Sequence, residues 1–515
     1  MFTPLPTPRE MAAWDKAAMT EWGFHPYVLM ENASREAWSV LAGELGDPRG
    51  KRLVCLAGPG NNGGDAIALA RHAKEGGMDV LLVLTRPRSR YAGPAGYNLR
   101  LTAKIGLPII QASRFDPVRD GPFDAVADGL LGTGFAGTLR PNMAALVETV
   151  NALGKTALVL ALDIPSGLSG LTGKPCPAAV KAGVTVAFEA AKTGTVLPEA
   201  APYVGRLIVR GIGIPAAVKA RYPAQAVLLD DGVFASLPGP DPLLHKGKAG
   251  RILILGGSPG LTGAPFLSAM AALRCGGGLI TIACPKGIED RVKNGCPDVM
   301  TLPLGEGEDW TGDMAGELSD VLSGTNALVI GPGLGRKPGT GAFLRALPPL
   351  VAPRVLDADA LYFLARDPEL IRLAGPLAVL TPHPGEMAAL LGLSIDEIQA
   401  DRFGAAGALA GKTGGTAILK GPGTVIAPNP EEPRPVSLSP FACANLAVGG
   451  SGDVLSGVMA ALLAAGNSPL QAARLGVYWH GLAGMRLAGL FPGRGNLASE
   501  IAGALPFVIK ERMHA

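Results

Sequence analysis

The chain predicts an α/β protein made of two successive, mostly parallel sheets with helices on both faces. Three observations carry this. Short, nearly continuous apolar runs alternate with helical stretches, which is how strands covered on both faces read. The alternation breaks once, in the Pro-rich segment 221–240, and then resumes. The 515 residues also exceed what a single hydrophobic core organises, so two or more domains are expected.

In chain order, Thr7-Pro8-Arg9-Glu10 has the form of a capping box with Pro at the first helical position, so a helix is expected there rather than an apolar leader. Expected strands follow at 52–57, 79–85, 124–128, 157–163, 184–188 and 206–209, with a helix over 65–76. After the Pro-rich segment, read as a linker, they fall at 251–255, 279–283, 327–330, 354–356, 378–380 and 416–419. This places a first domain over 1–220 and a second over 241–515.

Composition narrows the function classes. Hydrophobic residues make up 48% and charged residues 17%, so a large core is supplied and disorder is not expected. A net charge of +3 without Lys/Arg runs argues against a nucleic-acid partner. The six cysteines form no CxxC pair and fit reduced thiols in a cytoplasm. The longest apolar helical stretch, 454–465, falls short of the roughly 20 residues a membrane span needs.

The first expected strand runs into GPGNNGGD, in which Gly58, Gly60 and Gly63 satisfy G-x-G-x-x-G. Such a turn admits a phosphate at a helix N-terminus, or is simply a tight strand-to-helix turn. Two details depart from an ordinary dinucleotide site. The second strand ends Leu84-Thr85-Arg86, with no acid to hold a ribose, and Asn61, Asn62 and Asp65 add oxygens that suit a cation or a polar substrate. Asp128 with GTGFAGT, and then DIPSG, fall at strand C-terminal ends, where α/β sheets place ligands. An Asp there is also a common helix cap.

Taken in order, MENAS, GPGNNGGDA, DGLLGTGFAG and DIPSG make residues 1–220 resemble the NAD(P)H-hydrate epimerases. The resemblance implies a Rossmann-like, doubly wound epimerase domain. Its substrate site would comprise Asn61, Asn62, Gly63, Gly64, Asp65, Gly132, Thr133, Gly134, Phe135, Ala136, Gly137, Thr138 and Asp163. Asn62, Asp128 and Ser166 would hold a potassium ion. Ser34 and Ala66 stand where the family has glycine. Epimerising a carbon that carries a hydroxyl beside a ring nitrogen needs acid/base help, and Asp163 is the best-placed carboxylate for it.

In the second half GGSGDVLSG opens an apolar helix. Its glycines let backbone close on an anion at the positive helix end, and Asp453 in the first turn can take a proton from a substrate hydroxyl during phosphoryl transfer. An Asp placed there only to complement the helix dipole is the plainer reading. KGPGT, GPGLG and TPHPGE each follow a strand, although His383 in the last could be purely structural. AGKTGG is not a P-loop, since Ala406 occupies the first glycine position.

HKGKAGRILILGGS, LTGAP, GPGLG, DADAL, TPHPGE, KGPGT and GGSGD, in that order, resemble the ADP/ATP-dependent NAD(P)H-hydrate dehydratases, which are ribokinase-like α/β proteins. The resemblance implies that Ala264, Gly333, His383 and Asp453 meet the hydrated nucleotide. It places Lys420, Gly421, Pro422, Gly423 and Thr424 at ADP, with Cys443, Ala444, Asn445, Leu446, Ala447, Val448, Gly449, Gly450, Ser451 and Gly452, and magnesium accompanying the nucleotide. CANLAVGGSGD departs from the family's GNPGMATGGSGD. The ligands implied are NADHX, NADPHX and ADP, in a cytoplasmic homo-oligomer. Two rivals stand beside this: a small-alcohol kinase on the same fold, and a non-catalytic scaffold. The first-half motifs argue against the kinase, and the retained Asp65, Asp128, Asp163 and Asp453 argue against the scaffold.

Overall fold

The apolar runs of the first half form the parallel sheet they predict. In a computed structural model that describes residues 2–135, 137–237, 239, 241–432 and 434–513, the chain divides into two units, Pro4–Ala226 and Val227–Ala515 with Met1–Thr3. The first unit holds β1 (Arg52–Ala57), β2 (Asp79–Leu84), β3 (Ile109–Gln111), β4 (Ala125–Gly129), β5 (Leu158–Leu162), β6 (Val184–Phe188) and β7 (Arg206–Arg210), in the order β3-β2-β1-β4-β5-β6-β7. Every neighbouring pair is parallel. Both faces are covered. Leu53, Cys55 and Ala57 of β1 pack into one core with Trp14, Leu41 and Ile67, while Val54 and Leu56 enter another with Val147 and Val150. Each such aliphatic side chain contributes about 1.5–3 kcal/mol on burial.

Strand order reverses between β1 and β4, whose ends are in register at Ala57 and Gly129. The loops that leave these two ends flank the crevice where doubly wound sheets bind ligands. They are GPGNNGGD and the GTGFAGT segment. Helix α1 (Pro8–Thr20) carries the expected capping box of Thr7 and Glu10, and α2 (Pro26–Leu45) follows. Helix α3 spans Asn61–Glu75, so it starts four residues before the helix expected from 65. The glycines permit this: a Cβ on Gly63 would sit 1.8 Å from the Gly58 carbonyl oxygen.

The second unit is built on β8 (Arg251–Leu255), β9 (Leu279–Pro285), β10 (Met300–Leu304), β11 (Ala327–Ile330), β12 (Arg354–Leu356), β13 (Ala378–Leu380), β14 (Thr416–Leu419), β15 (Val425–Ala427) and β16 (Val436–Leu438). They lie in the order β16-β15-β14-β13-β12-β11-β8-β9-β10, with only the pairs made by β15 antiparallel. Helices α4 (Gly263–Arg274), α5 (Pro384–Leu391), α6 (Ser451–Ala464) and α7 (Pro469–Leu490) surround it. Val454 and Val458 of α6 join Ile252, Val329 and Val355 of the sheet in one core. Among the described residues no helix is long and apolar enough to cross a membrane, and all six cysteines are unpaired.

The segment read as a linker carries structure: a short strand at Ala226–Leu228 and a 3-10 turn at Asp231–Ser236. Residues just past 220 also close the first unit. The buried Trp14 indole donates to the Tyr222 carbonyl at 2.6 Å, and the Gln225 amide donates to Glu10 at 3.0 Å. A fragment ending at Ala226 is therefore expected to melt above one ending at residue 220. Orphaning a buried donor costs about 1–3 kcal/mol, and each kcal/mol is worth roughly 2–4 °C in a unit of this size. Thermal melts of the two fragments by circular dichroism check this, and equal melting temperatures would remove the role given to Tyr222.

Two candidate active sites

In the first unit a cavity of about 550 Å³ opens at the reversal point of the sheet. Asn61, Asn62, Gly63, Asp65, Gly132, Thr133, Gly134, Phe135 and Asp163 line it, as do Asp15 and Lys192, which no motif marked. Three residues expected there are not among its lining: Gly64, Gly137 and Thr138. Gly64 lies behind Met30, which does line the cavity: a Cβ on it would sit 2.4 Å from Met30 Cε. Ala136 lies outside the described residues. Ala66 is fully buried with its methyl against Gly129, which accommodates the departure from glycine.

Asp128 and Ser166 knot the two loop ends together beside the cavity. The Ser166 hydroxyl donates to Asp128 at 2.6 Å and its amide donates to the other carboxylate oxygen at 2.8 Å. The Leu131 amide donates to Ser166 Oγ at 2.8 Å. Burial pushes Asp128 up to about 6 against the pull of these hydrogen bonds. Asn62 donates through Nδ2 to the Leu131 carbonyl at 2.7 Å, while its Oδ1 is buried without a partner.

Asp163 adopts φ 63°, a left-handed conformation rare for a non-glycine residue, and is held there by an ion pair with buried Lys192 and by the Phe188 amide at 3.1 Å. Two more carboxylates share the cavity. Burial, then the charges of Asp163 and Asp15, hold Asp65 well above the usual carboxylate range. Burial and the Asp163 charge push Asp15 up to about 6, with Lys192 opposing.

In the second unit β8, β11, β12, β13 and β14 are parallel neighbours, so the loops after them leave one edge of the sheet. Lys420, at the end of β14, donates to Asp357 Oδ1 at 2.8 Å, and Ser456 of α6 donates to Asp357 Oδ2 at 2.7 Å. A Cβ on Gly452 would come within 3.2 Å of Lys420 Nζ, so the GGSGD and KGPGT motifs converge. Ala264 and Gly333 are neighbours, with 3.3 Å between the Ala264 Cβ and a Cβ built on Gly333. Arg402 Nη2 binds the KGPGT loop through the carbonyls of Leu419 at 3.2 Å and Gly423 at 3.3 Å.

Asp453 stands in the first turn of α6, where burial and then the Asp357 charge push its carboxyl up to about 7, with Lys420 opposing. Glu386 is likewise pushed to about 7, by burial first. His383 has the structural role left open for it. Its Nδ1 accepts from Gly385 N at 3.0 Å and Glu386 N at 3.3 Å, capping α5, and burial, then the Lys420 charge, hold the ring below the usual imidazole range. The Asn445 amide nitrogen is turned inward to the Phe491 carbonyl and Asn496, both at 3.0 Å, so that group is committed away from a nucleotide. Asp357, Asp359 and Glu386 were missed as individual site residues, although DADAL and TPHPGE contain them.

Comparison with known proteins agrees with this division. The YjeF-related protein N-terminus family matches residues 26–194, and the NAD(P)H-hydrate dehydratase family matches residues 252–506. The chain is 37% identical to the bifunctional NAD(P)H-hydrate repair enzyme Nnr of Moorella thermoacetica, over 98% of this chain and 96% of that one. It belongs to the bifunctional NAD(P)H-hydrate repair enzymes. The Escherichia coli K12 repair enzyme is 33% identical over 96% of this chain and 92% of its own. Among solved structures, a Bacillus subtilis ADP/ATP-dependent NAD(P)H-hydrate dehydratase co-crystallized with ATP/Mg2+ is 28% identical, with a TM-score of 0.44 over 54% of this chain and 95% of that one. In this repair enzyme the four N-terminal motifs contribute to the cavity or its supporting knot, and DADAL, TPHPGE, KGPGT and GGSGD gather around Lys420 and Asp453.

Proposed function

We propose that the first unit interconverts the R and S hydrates of NAD(P)H and that the second dehydrates the S hydrate, converting ADP to AMP and phosphate. The observation that carries the dehydratase half is the convergence of Asp453, Lys420 and the α6 N-terminus. A carboxylate that titrates near neutrality, set at a positive helix end, can accept the C6 hydroxyl proton as that oxygen attacks the β-phosphoryl group and AMP leaves. Hydroxide is a poor leaving group and phosphate a good one. The ring nitrogen lone pair then expels phosphate, a C5 proton is lost, and the double bond returns. Supplying ADP with the S hydrate and recording the return of reduced-nicotinamide absorbance tests the reading. No recovery with either ADP or ATP would sink it, and AMP as co-product separates ADP from ATP dependence. A homo-oligomer remains the expected assembly.

Magnesium fits the second site by charge. Asp357, Glu386 and Asp453 act on Lys420, and Asp453 and Glu386 are raised by burial first and then by the Asp357 charge, so a further cation would be welcome beside them. Asp357 is engaged by Lys420 and Ser456, and Asp359 by Arg336 and the Gly335 amide. Glu386 spends Oε2 on the His383 amide at 2.8 Å, and its Oε1 would hold the ion alongside nucleotide phosphates. Among the described residues no three His, Cys, Asp or Glu side chains are grouped to hold a metal, which suits an ion that arrives with its phosphates. Bound there, it would neutralise charge on the transferring group.

A potassium ion fits the first site through the unpartnered Asn62 Oδ1, beside the Asp128–Ser166 knot. Epimerisation is expected to be fast in potassium and much slower in a bulky organic cation. Equal R-to-S rates in the two buffers would remove the ion from this site.

A further inference from the structure

The first cavity holds a carboxylate that no motif marks. Helix α1 is pinned at its start by the Thr7–Glu10 box and turns Met11, Asp15 and Met19 toward the cavity. Residues four apart share one helix face. A methionine stripe needs no carboxylate for packing. The surroundings act on half-buried Asp15 through burial and through the charges of Asp163, Lys192 and Glu189, with no hydrogen bond contributing.

We propose that Asp15 is the second acid/base group of the epimerase, paired with Asp163 across one substrate carbon. The inference rests on the epimerase reading above. Inverting the carbon that bears the hydroxyl requires its C–O bond to break on one face and reform on the other. Asp15 gives its proton to the hydroxyl oxygen, the bonding pair leaves with water, and the adjacent ring nitrogen lone pair forms a C=N bond. Water then adds to the opposite face, Asp163 takes its proton, and the electron pair returns to nitrogen. One proton leaves Asp15 and one reaches Asp163, the substrate's atoms are unchanged in number, and exchange with solvent resets the pair.

The reaction needs two carboxyls that share a single proton, and Lys192 divides them. It is ion-paired with Asp163 and not with Asp15, and the proton-donating role falls to Asp15. The third carboxyl, Asp65, is more deeply buried, and burial with the charges of Asp163 and Asp15 holds it well above the usual carboxylate range.

The test uses the full-length protein with separate R and S hydrates, following epimerisation from mildly acidic to mildly alkaline pH. An acid must be protonated, so the parent's rate is expected to fall by one proton's slope as pH rises past about 6. Asp15→Asn is expected to lose about 100-fold or more in rate, together with that limb. Asp15→Glu should keep the limb and recover much of the rate. An Asp15→Asn protein within about threefold of the parent, or one that retains the limb, overturns the assignment. Should that variant melt out, the parent profile and Asp15→Glu decide: a flat parent profile, or a Glu variant no better than Asn, overturns it equally. A parent with no epimerisation at all would instead bring down the epimerase reading with it, so the two failures are distinguishable.

Discussion

Asp453→Asn is expected to abolish dehydration while leaving ADP binding nearly intact. The substitution keeps shape and volume, so packing changes little. It removes the carboxylate that would take the hydroxyl proton, and losing a general base costs about 10²–10⁴ in rate. ADP affinity should hold or rise, because a negative charge leaves a polyanion site while the backbone cradle of Gly450 and Gly452 is untouched. The pH profile adds a second check. A base must be ionised, so parental dehydration rises with pH through about 7, and the variant should lack this limb. Stability should move the other way. A carboxyl whose folded pKa is raised costs stability as pH climbs through that value, so the variant should melt above the parent in mild alkali, with the gap closing in acid. Epimerisation belongs to the other unit and should not change. A variant still dehydrating the S hydrate within about threefold of the parent would falsify the base assignment.

Strands buried on both faces were legible because their apolar runs are continuous. Those missed are short and only partly covered by that signal. Ile109–Gln111 is half-buried, Met300–Leu304 is an edge strand containing Pro303, and Val425–Ala427 and Val436–Leu438 have three residues each. Site residues divide in the same way. Asn61 and Asn62 open α3, and Gly132, Thr133 and Asp163 lie in loops just past strand ends, so chain order alone brings them to the site. Lys192 and Asp15 reach the cavity through the packing of a loop and a distant helix, which no local pattern records. A partial trace exists: Asp15 interrupts an apolar stripe between Met11 and Met19. The capping role of His383 was available too, since Pro384 at the first helical position and Glu386 at the third form a cap signature. Backbone conformation was not available. Asp163 at φ 63° and Ala358 at φ 50°, between the two acids of DADAL, hold left-handed conformations that only the surrounding contacts maintain.

The largest stability effect is expected from Lys420→Met. Asp357 has 2% of its side chain exposed and Lys420 20%, and 2.8 Å separates Nζ from Oδ1. Burial pushes Asp357 up, but the charge and hydrogen bond of Lys420, with Ser456, more than offset this and hold it below its usual range. Lys420 is the mirror case: burial lowers its pKa, and the Asp357 and Glu386 charges raise it by more. The pair therefore stabilises the fold through the neutral range. Its contribution fades in strong acid as Asp357 protonates, and again in alkali as pH passes the raised Lys420 value. Removing the lysine alone leaves Asp357 ionised and buried, and breaking such a pair costs about 3–5 kcal/mol. Adding Asp357→Asn should restore much of that stability, because a neutral amide can still accept from Ser456 and no charge is stranded. Dehydration should stay lost in both proteins, since neither has a cation beside Gly452 to meet phosphate. Denaturant midpoints for the parent, both single variants and the double variant close the cycle. A Lys420→Met protein destabilised by less than about 1 kcal/mol would place this pair with solvent-screened surface bridges, and its main role would then be contact with the nucleotide.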